Sequence, residues 1–154
     1  MECRRRHSRW AAALAVLILL GQSGRMVALD QTLQEMKSRV STTSMADRPQ
    51  LCLDISQRQL EVATQLYVAG ETAKAQAALA DVAAFSELAR DYAIQSHRKQ
   101  KQSEIAIRKM ARKLEDLKHT VLQEDQKEIQ ETINRLQTLR DDLLGSMFSL
   151  GVKK

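Results

Sequence analysis

The stretch Thr72–Val121, TAKAQAALADVAAFSELARDYAIQSHRKQKQSEIAIRKMARKLEDLKHTV, contains neither proline nor glycine. Its first half is rich in alanine. Its second half carries an apolar stripe spaced 3, 4, 3 and 4 residues apart: Ile107, Met110, Leu114, Leu117 and Val121. This spacing is typical of a short coiled-coil seam. Between Gln95 and Glu104 the stripe disappears, and a hinge or a turn there would split the stretch in two. Nothing in the window forbids helix, so we predict one continuous helix over 72–121, roughly 75 Å long.

The segment before this stretch predicts another helix, over 48–69. Asp47 is placed as its N-cap, Pro49 lies in its first turn, and Gln50 is a capping-box partner. Gly70 is placed to end the helix. Its apolar face consists of Leu51, Ile55, Leu60, Ala63, Leu66 and Tyr67. Because small side chains let helices approach closely, the alanine-rich half of the long stretch should pack on this face as an antiparallel hairpin.

Shorter helices are predicted towards both ends of the chain. DQTLQEMKSRV, residues 30–40, has apolar positions at helical spacing, and the polar STTSMAD that follows it is predicted to be a mobile break. Near the other end, Asp125 and Glu128 resemble a capping box and open a helix predicted over 125–144. Its apolar seam consists of Ile129, Ile133, Leu136, Leu139 and Leu143. Gly145 should end the regular helix and leave 146–154 as a tail.

The hairpin region resembles a single tetratricopeptide-type helical hairpin. The residues that carry the resemblance are Ala63, Leu66, Tyr67, Gly70, Ala73 and Ala78. The chain departs from the family pattern because it lacks the terminal proline and does not repeat, and solenoid repeats need several copies to bury a core. The resemblance therefore implies a pair of antiparallel helices and no particular function. In general character the chain also resembles the small exported α-helical proteins of bacteria.

The N-terminus has the three-part pattern of a secretory signal peptide. Four arginines precede the apolar run Trp10–Leu20, which is too short to span a bilayer comfortably, and GQSG follows the run. We predict a signal over residues 1–28, cleaved after Ser23 or Ala28, with an uncleaved anchor as the alternative. The protein is then expected in the periplasm or outside the cell.

Export changes how the charge and the cysteines are interpreted. Removing residues 1–28 leaves 19 Lys/Arg against 18 Asp/Glu, so the basic character of the chain belongs mainly to the signal and does not indicate nucleic-acid binding. Cys3 leaves with the signal, and Cys52 remains alone. We interpret Cys52 as a small buried residue, with an intermolecular disulfide as the alternative.

A basic cluster in the long stretch is the strongest local charge feature. We take as the candidate interaction surface Arg98, Lys99, Lys101, Arg108, Lys109, Arg112 and Lys113. If the last helix folds back along this cluster, Asp141 and Asp142 would lie near Lys101. The basic residues would then mainly set an antiparallel register, although each exposed pair contributes little. A surface for anionic lipid or a cell-wall polymer is the alternative.

The sequence lacks the motifs of the common enzyme classes. It has no phosphate-binding glycine loop, no G-x-S-x-G elbow and no H-E-x-x-H. Glu115 and Asp116 could approach His119 on one helix face, but a metal site needs three or four converging ligands, and His97 lies elsewhere. We therefore expect no catalytic residue, no cofactor and no metal.

Together these patterns predict an all-α protein of antiparallel hairpins that share one long central helix, an elongated bundle or short coiled coil. Residues 29–46 form a short helix and linker, 47–145 the helical domain, and 146–154 the tail. The leading hypothesis is an exported, non-enzymatic interaction or scaffold protein with a protein partner or a homodimer. The alternatives are an extracytoplasmic holdase chaperone and a protein that binds the envelope surface.

Overall fold

The computed structural model describes residues 32–151. The chain divides into two compact units, residues 1–36 and residues 37–154. Of the first unit, the structure describes only 32–36, which belong to helix α1 (residues 32–39). The predicted signal peptide and the first two residues of the helix predicted over 30–40 lie outside the described residues.

The second unit contains four long helices: α2 Arg48–Val68, α3 Thr72–Ser96, α4 Gln100–Lys118 and α5 Gln123–Gly151. The described part of the chain forms no strand, which confirms the predicted all-α class. Residues 41–47, predicted as a mobile polar break, form hydrogen-bonded turns. The Arg48 guanidinium donates to the carbonyls of Ser41 and Thr43 in this segment.

Helices α2 and α3 form the predicted antiparallel hairpin. Ser56 Oγ donates to the Val82 carbonyl at 3.2 Å, while Gln59, one turn later on α2, donates to Asp81 at 2.7 Å. Since a later residue on α2 meets an earlier residue on α3, the helices run in opposite directions. Ser86 Oγ also donates to Ser56 Oγ at 3.2 Å, which places these two small buried side chains in direct contact across the hairpin.

Helices α4 and α5 form a second antiparallel hairpin. Arg140 donates to Glu104 at 2.8 Å, and Lys118 donates to Gln130 at 2.7 Å. Helix α5 also packs on α3, and α4 packs on α2. The second unit is therefore an up-down-up-down bundle of four helices.

The prediction of a continuous helix over 72–121 is wrong. Helix α3 ends at Ser96 and α4 begins at Gln100, with His97 and Lys99 both in the left-handed region at φ 53° and 58°. Each left-handed residue other than glycine costs about 1–2 kcal/mol. Folding back buries the apolar stripe of α4, whose large side chains each contribute roughly 1.5–3 kcal/mol, so burial outweighs the strain.

The apolar seams predicted from the sequence form the core of the bundle. The side chains with 0% exposure include Cys52, Ile55, Leu79, Ile107, Leu114, Ile129, Leu136 and Leu143. Alanine supplies much of the buried face of α3, as predicted: Ala75, Ala78, Ala83, Ala89 and Ala93. The interpretation of Cys52 as a buried residue is confirmed, and burial raises the pKa of its thiol to about 11.

The ends of α2 show one cap that was predicted correctly and one that was not. Gly70 adopts φ 74°, and the amides of Gly70 and Glu71 donate to the carbonyls of Tyr67 and Leu66, a Schellman motif. At the other end, the Asp47 side chain makes no capping hydrogen bond. Its carboxylate instead accepts hydrogen bonds from Ser44 and Lys99, so the predicted capping box is absent.

Helix α5 is longer than predicted at both ends. It begins at Gln123, which puts Asp125 inside the first turn instead of at the N-cap. It also continues through Gly145 to Gly151. The prediction that Gly145 ends the helix is wrong because the apolar seam continues to half-buried Met147, which favours helix beyond the glycine.

We expect Gly145→Ala to raise the free energy of unfolding by about 0.5–1 kcal/mol, because alanine favours a helix interior. A Cβ at this exposed position meets nothing within 4 Å. Gly70→Ala is the matched control and should lower the free energy by about 1–2 kcal/mol, because it forces a Cβ into the left-handed region. Urea unfolding of both variants measures the difference. A loss of stability in Gly145→Ala would contradict a helix that continues through this residue.

Candidate interaction surface

The structure places the seven predicted surface residues on the α3–α4 turn and along α4. They do not all belong to one exposed surface. Lys99 and Arg108 form ion pairs with carboxylates of the second unit. The other five are solvent-exposed: Arg98, Lys101, Lys109, Arg112 and Lys113. We call these five residues the cationic face.

Lys99 stabilises the fold at the α3–α4 turn. Its ammonium nitrogen lies 3.4 Å from Asp47 Oδ1, which ties the α3–α4 turn to the start of α2. Hydrogen bonds from Ser44 and Lys99 lower the pKa of the Asp47 carboxyl. Lys99 therefore contributes to closing this end of the bundle, and we remove it from the candidate surface.

Arg108 takes part in a small cluster around a buried carboxylate. The Glu104 side chain is only 8% exposed; Arg140 Nε lies 2.8 Å from its Oε1, and Arg108 Nε lies 3.6 Å from the same oxygen. Arg108 and Arg140 also line a groove of about 280 Å³ between α4 and α5, together with Arg112. The groove therefore has arginines on both helices.

Sequence reasoning missed Arg140, although a signal was present. Glu104 lies three residues before Ile107 and so falls on the buried side of α4. A buried carboxylate needs a charged or hydrogen-bonded partner. The lone acid in a basic stretch thus predicts a partner cation on another helix. Which residue supplies that cation cannot be identified without the register of α5.

Asp141 and Asp142, which were expected to lie near Lys101, form ion pairs with other residues. Asp142 accepts a hydrogen bond from Arg90 of α3 at 2.9 Å. Asp141 lies 3.8 Å from Arg140, its neighbour in sequence. Because α5 packs against α3 as well as α4, Asp142 forms its ion pair with α3 and not with a basic residue of α4.

Within the described part of the chain the cationic face lacks direct ion pairs, although acids lie near it: Arg98 acts electrostatically on the Asp47 carboxylate, and Asp116 lines a groove beside Lys113. None of its five side chains forms an ion pair with a described carboxylate. The only acid between Arg98 and Lys113 is Glu104, which is buried and bonded to Arg140. The exposed acids Glu115 and Asp116 come only after Lys113. From Lys101 to Lys113 the face extends roughly 18 Å along α4.

Other features of the described residues do not form a recognisable site. His97 and His119 are exposed at the C-terminal caps of α3 and α4, and no group of three or more potential metal ligands converges in this part of the chain. The Tyr67 hydroxyl is buried without a hydrogen-bond partner, and burial and the nearby Asp125 and Glu128 carboxylates raise its pKa to about 12. A neutral tyrosine beside carboxylates suggests no reaction by itself.

The large apolar side chains exposed in the described region are scattered: Met45, Val68, Leu88, Leu122 and Phe148. The predicted apolar seams are buried inside the bundle, so a homodimer would need another surface and stays a prediction. No helix in the described region has the length and apolar character needed to cross a membrane.

Comparison with known proteins adds no relative: no family model matches the sequence, and neither curated proteins nor solved structures give a match. The resemblance to a tetratricopeptide-type hairpin therefore remains one of local pattern.

Proposed function

We propose that this is an exported, non-enzymatic interaction protein that binds an anionic partner through the cationic face. The observation that carries the proposal is the lack of direct ion pairs: five exposed cations share residues 98–113, a stretch whose single acid is buried. Isolated surface charges usually find partners of opposite sign nearby. A run of like charges attracts counter-ions and directs association with oppositely charged surfaces.

The arrangement of the helices favours this role over that of a holdase chaperone. A holdase grips unfolded clients between open arms, whereas α2–α5 pack against one another in a single unit. Their apolar seams are buried in that packing. Binding would therefore occur on the outside of the bundle, where the cationic face is the most strongly charged described feature.

Charge reversal tests the proposal with a soluble polyanion, inorganic polyphosphate. Lys109→Glu combined with Lys113→Glu should weaken its binding at low salt by at least tenfold, since each cation near an anionic surface contributes about 1 kcal/mol. Isothermal titration calorimetry at two salt concentrations measures the affinity, and binding by the unchanged chain should also fade as salt rises.

The matched control is Lys74→Glu combined with Lys127→Glu. It produces the same change in net charge at exposed positions on α3 and α5, outside the cationic face. We expect its affinity for polyphosphate to stay within about threefold of the unchanged chain, because only weak exposed pairs are lost. Equal weakening by both double variants would contradict a defined binding face, since net charge alone would then explain the affinity.

A further inference from the structure

Apolar side chains of α5 border the cationic face. Leu144 and Phe148 follow Arg140 at intervals of four residues, so all three lie on one side of α5. Arg140 lines the groove between α4 and α5 with Arg108 and Arg112, which fixes that side as the one next to the basic residues. Leu144 is half-buried, but the Phe148 side chain is 72% exposed.

The register of the hairpin brings Phe148 to the basic end of α4. Glu104 lies opposite Arg140, and Gln100 donates to Ser146 at 3.2 Å. The last turns of α5 therefore reach the level of the α3–α4 turn, where Arg98 and Lys101 are exposed. At this end, the outer surface of the α4–α5 hairpin combines Arg98 and Lys101 with an exposed aromatic ring, whereas Lys113 lies farther along α4, in a groove beside α2.

This combination distinguishes between anionic partners. A soluble polyanion offers charge but no apolar phase, so an exposed phenylalanine adds nothing to its binding. A lipid bilayer offers both, because anionic headgroups attract lysine and arginine while an aromatic ring enters the boundary between headgroups and acyl chains. We propose that the partner is an anionic lipid bilayer, with the cationic face on the headgroups and Phe148 inserted below them. This inference rests on the proposed function and names its partner.

Tryptophan fluorescence tests the insertion locally. Trp10 is the only tryptophan, so Trp10→Phe combined with Phe148→Trp places a single reporter at the proposed site. The full chain is mixed with phosphatidylcholine vesicles that contain roughly a third phosphatidylglycerol, or none. With the anionic vesicles we expect a blue shift of the emission and quenching by lipids with brominated chains. With pure phosphatidylcholine we expect neither. Because the reporter is local, membrane binding by the apolar run near the N-terminus does not imitate this signal.

The matched control places the reporter at Leu122, which is 68% exposed in the turn between α4 and α5. A shift of equal size at Leu122 would overturn the inference, as would no shift at Phe148. In the Phe148→Trp background, adding Lys109→Glu with Lys113→Glu should abolish the shift. Phe148→Ser should lower the affinity of this face for anionic vesicles by about tenfold, because one buried aromatic side chain is lost. The same variant should leave polyphosphate binding unchanged.

The two proposals fail in different ways. If charge reversal weakens polyphosphate binding but Phe148→Trp never responds to anionic vesicles, the cationic face binds a polymer or an acidic protein, and the lipid inference is overturned alone. If charge reversal affects neither polyphosphate nor vesicles, the proposed function is overturned, and the lipid inference falls with it.

Discussion

Replacing Arg140 with alanine is expected to lower the free energy of unfolding by about 2–3 kcal/mol. The Glu104 carboxylate is 8% exposed and accepts a hydrogen bond from Arg140 Nε at 2.8 Å. Without Arg140, the nearest described cation is Arg108, at 3.6 Å. The carboxylate would remain buried with its principal partner lost, and partial exposure of Arg140, at 37%, keeps the expected loss below that of a fully buried pair. Chemical denaturation at neutral pH measures it.

The control lies on the same helix. Arg135 forms an ion pair with Glu87 in which both side chains are well exposed, so Arg135→Ala should cost less than about 1 kcal/mol. Adding Glu104→Gln to the Arg140→Ala variant should recover part of the stability, since a neutral amide is less costly to bury than a carboxylate. Equal losses in Arg140→Ala and Arg135→Ala would show that the buried carboxylate does not depend on Arg140.

Replacing Ala83 with leucine is expected to lower the free energy of unfolding by about 2–3 kcal/mol, because overpacking a tight core strains it. Ala83 is 1% exposed and lies one turn before Ser86, whose hydroxyl contacts Ser56 of α2. Small residues in this part of α3 allow the close helix approach. Urea unfolding followed by circular dichroism gives the free energy of unfolding, and a reduced slope of the transition reports any loss of cooperativity.

The adjacent residue supplies the control. Ala84 is exposed, so Ala84→Leu makes the same chemical change without entering the core. We expect a change within about 0.5 kcal/mol, as for ordinary surface substitutions. If Ala83→Leu were tolerated as well as Ala84→Leu, the two helices would not be packed as closely as the serine contacts imply.

Local pattern was sufficient to predict much of the fold. The 3 and 4 spacing of apolar residues predicted which sides of α4 and α5 are buried, because a helix exposes one side to its neighbours whatever their identity. Gly70 was also predictable, because a left-handed residue after a helix favours glycine. In each case the decisive information lay within a few residues of sequence.

The break between α3 and α4 was not predictable from local pattern. Left-handed backbone at His97 and Lys99 is intrinsically unfavourable, and only the burial gained when α4 folds back compensates for it. The absence of large apolar residues between Ile94 and Ile105 is the one local hint, since a continuous helix there would have had nothing to pack on. Tertiary packing decided between the continuous helix and the turn.

The candidate surface depended on the same long-range information. The sequence showed where the basic residues are, but not that Lys99 and Arg108 form internal ion pairs. It also did not show that Asp142 pairs with Arg90 of α3 instead of with α4. Pairing between helices follows from bundle order, which a charge count along one helix does not contain. The cationic face could therefore be defined only after the bundle was known.

The most direct test of the account is one distance, measured between spin labels at Ala80 and Asp116. Both positions are exposed, and each lies 18 residues from Arg98, on opposite sides of the turn. With Cys3 and Cys52 replaced, cysteines at these two sites carry the labels. A helix that folds back at His97–Lys99 places them at the same height of the bundle, about 20–30 Å apart including the label arms. A distance near 54 Å, the rise of about 36 residues of unbroken helix, would contradict the folded-back bundle and the register that leaves the cationic face free.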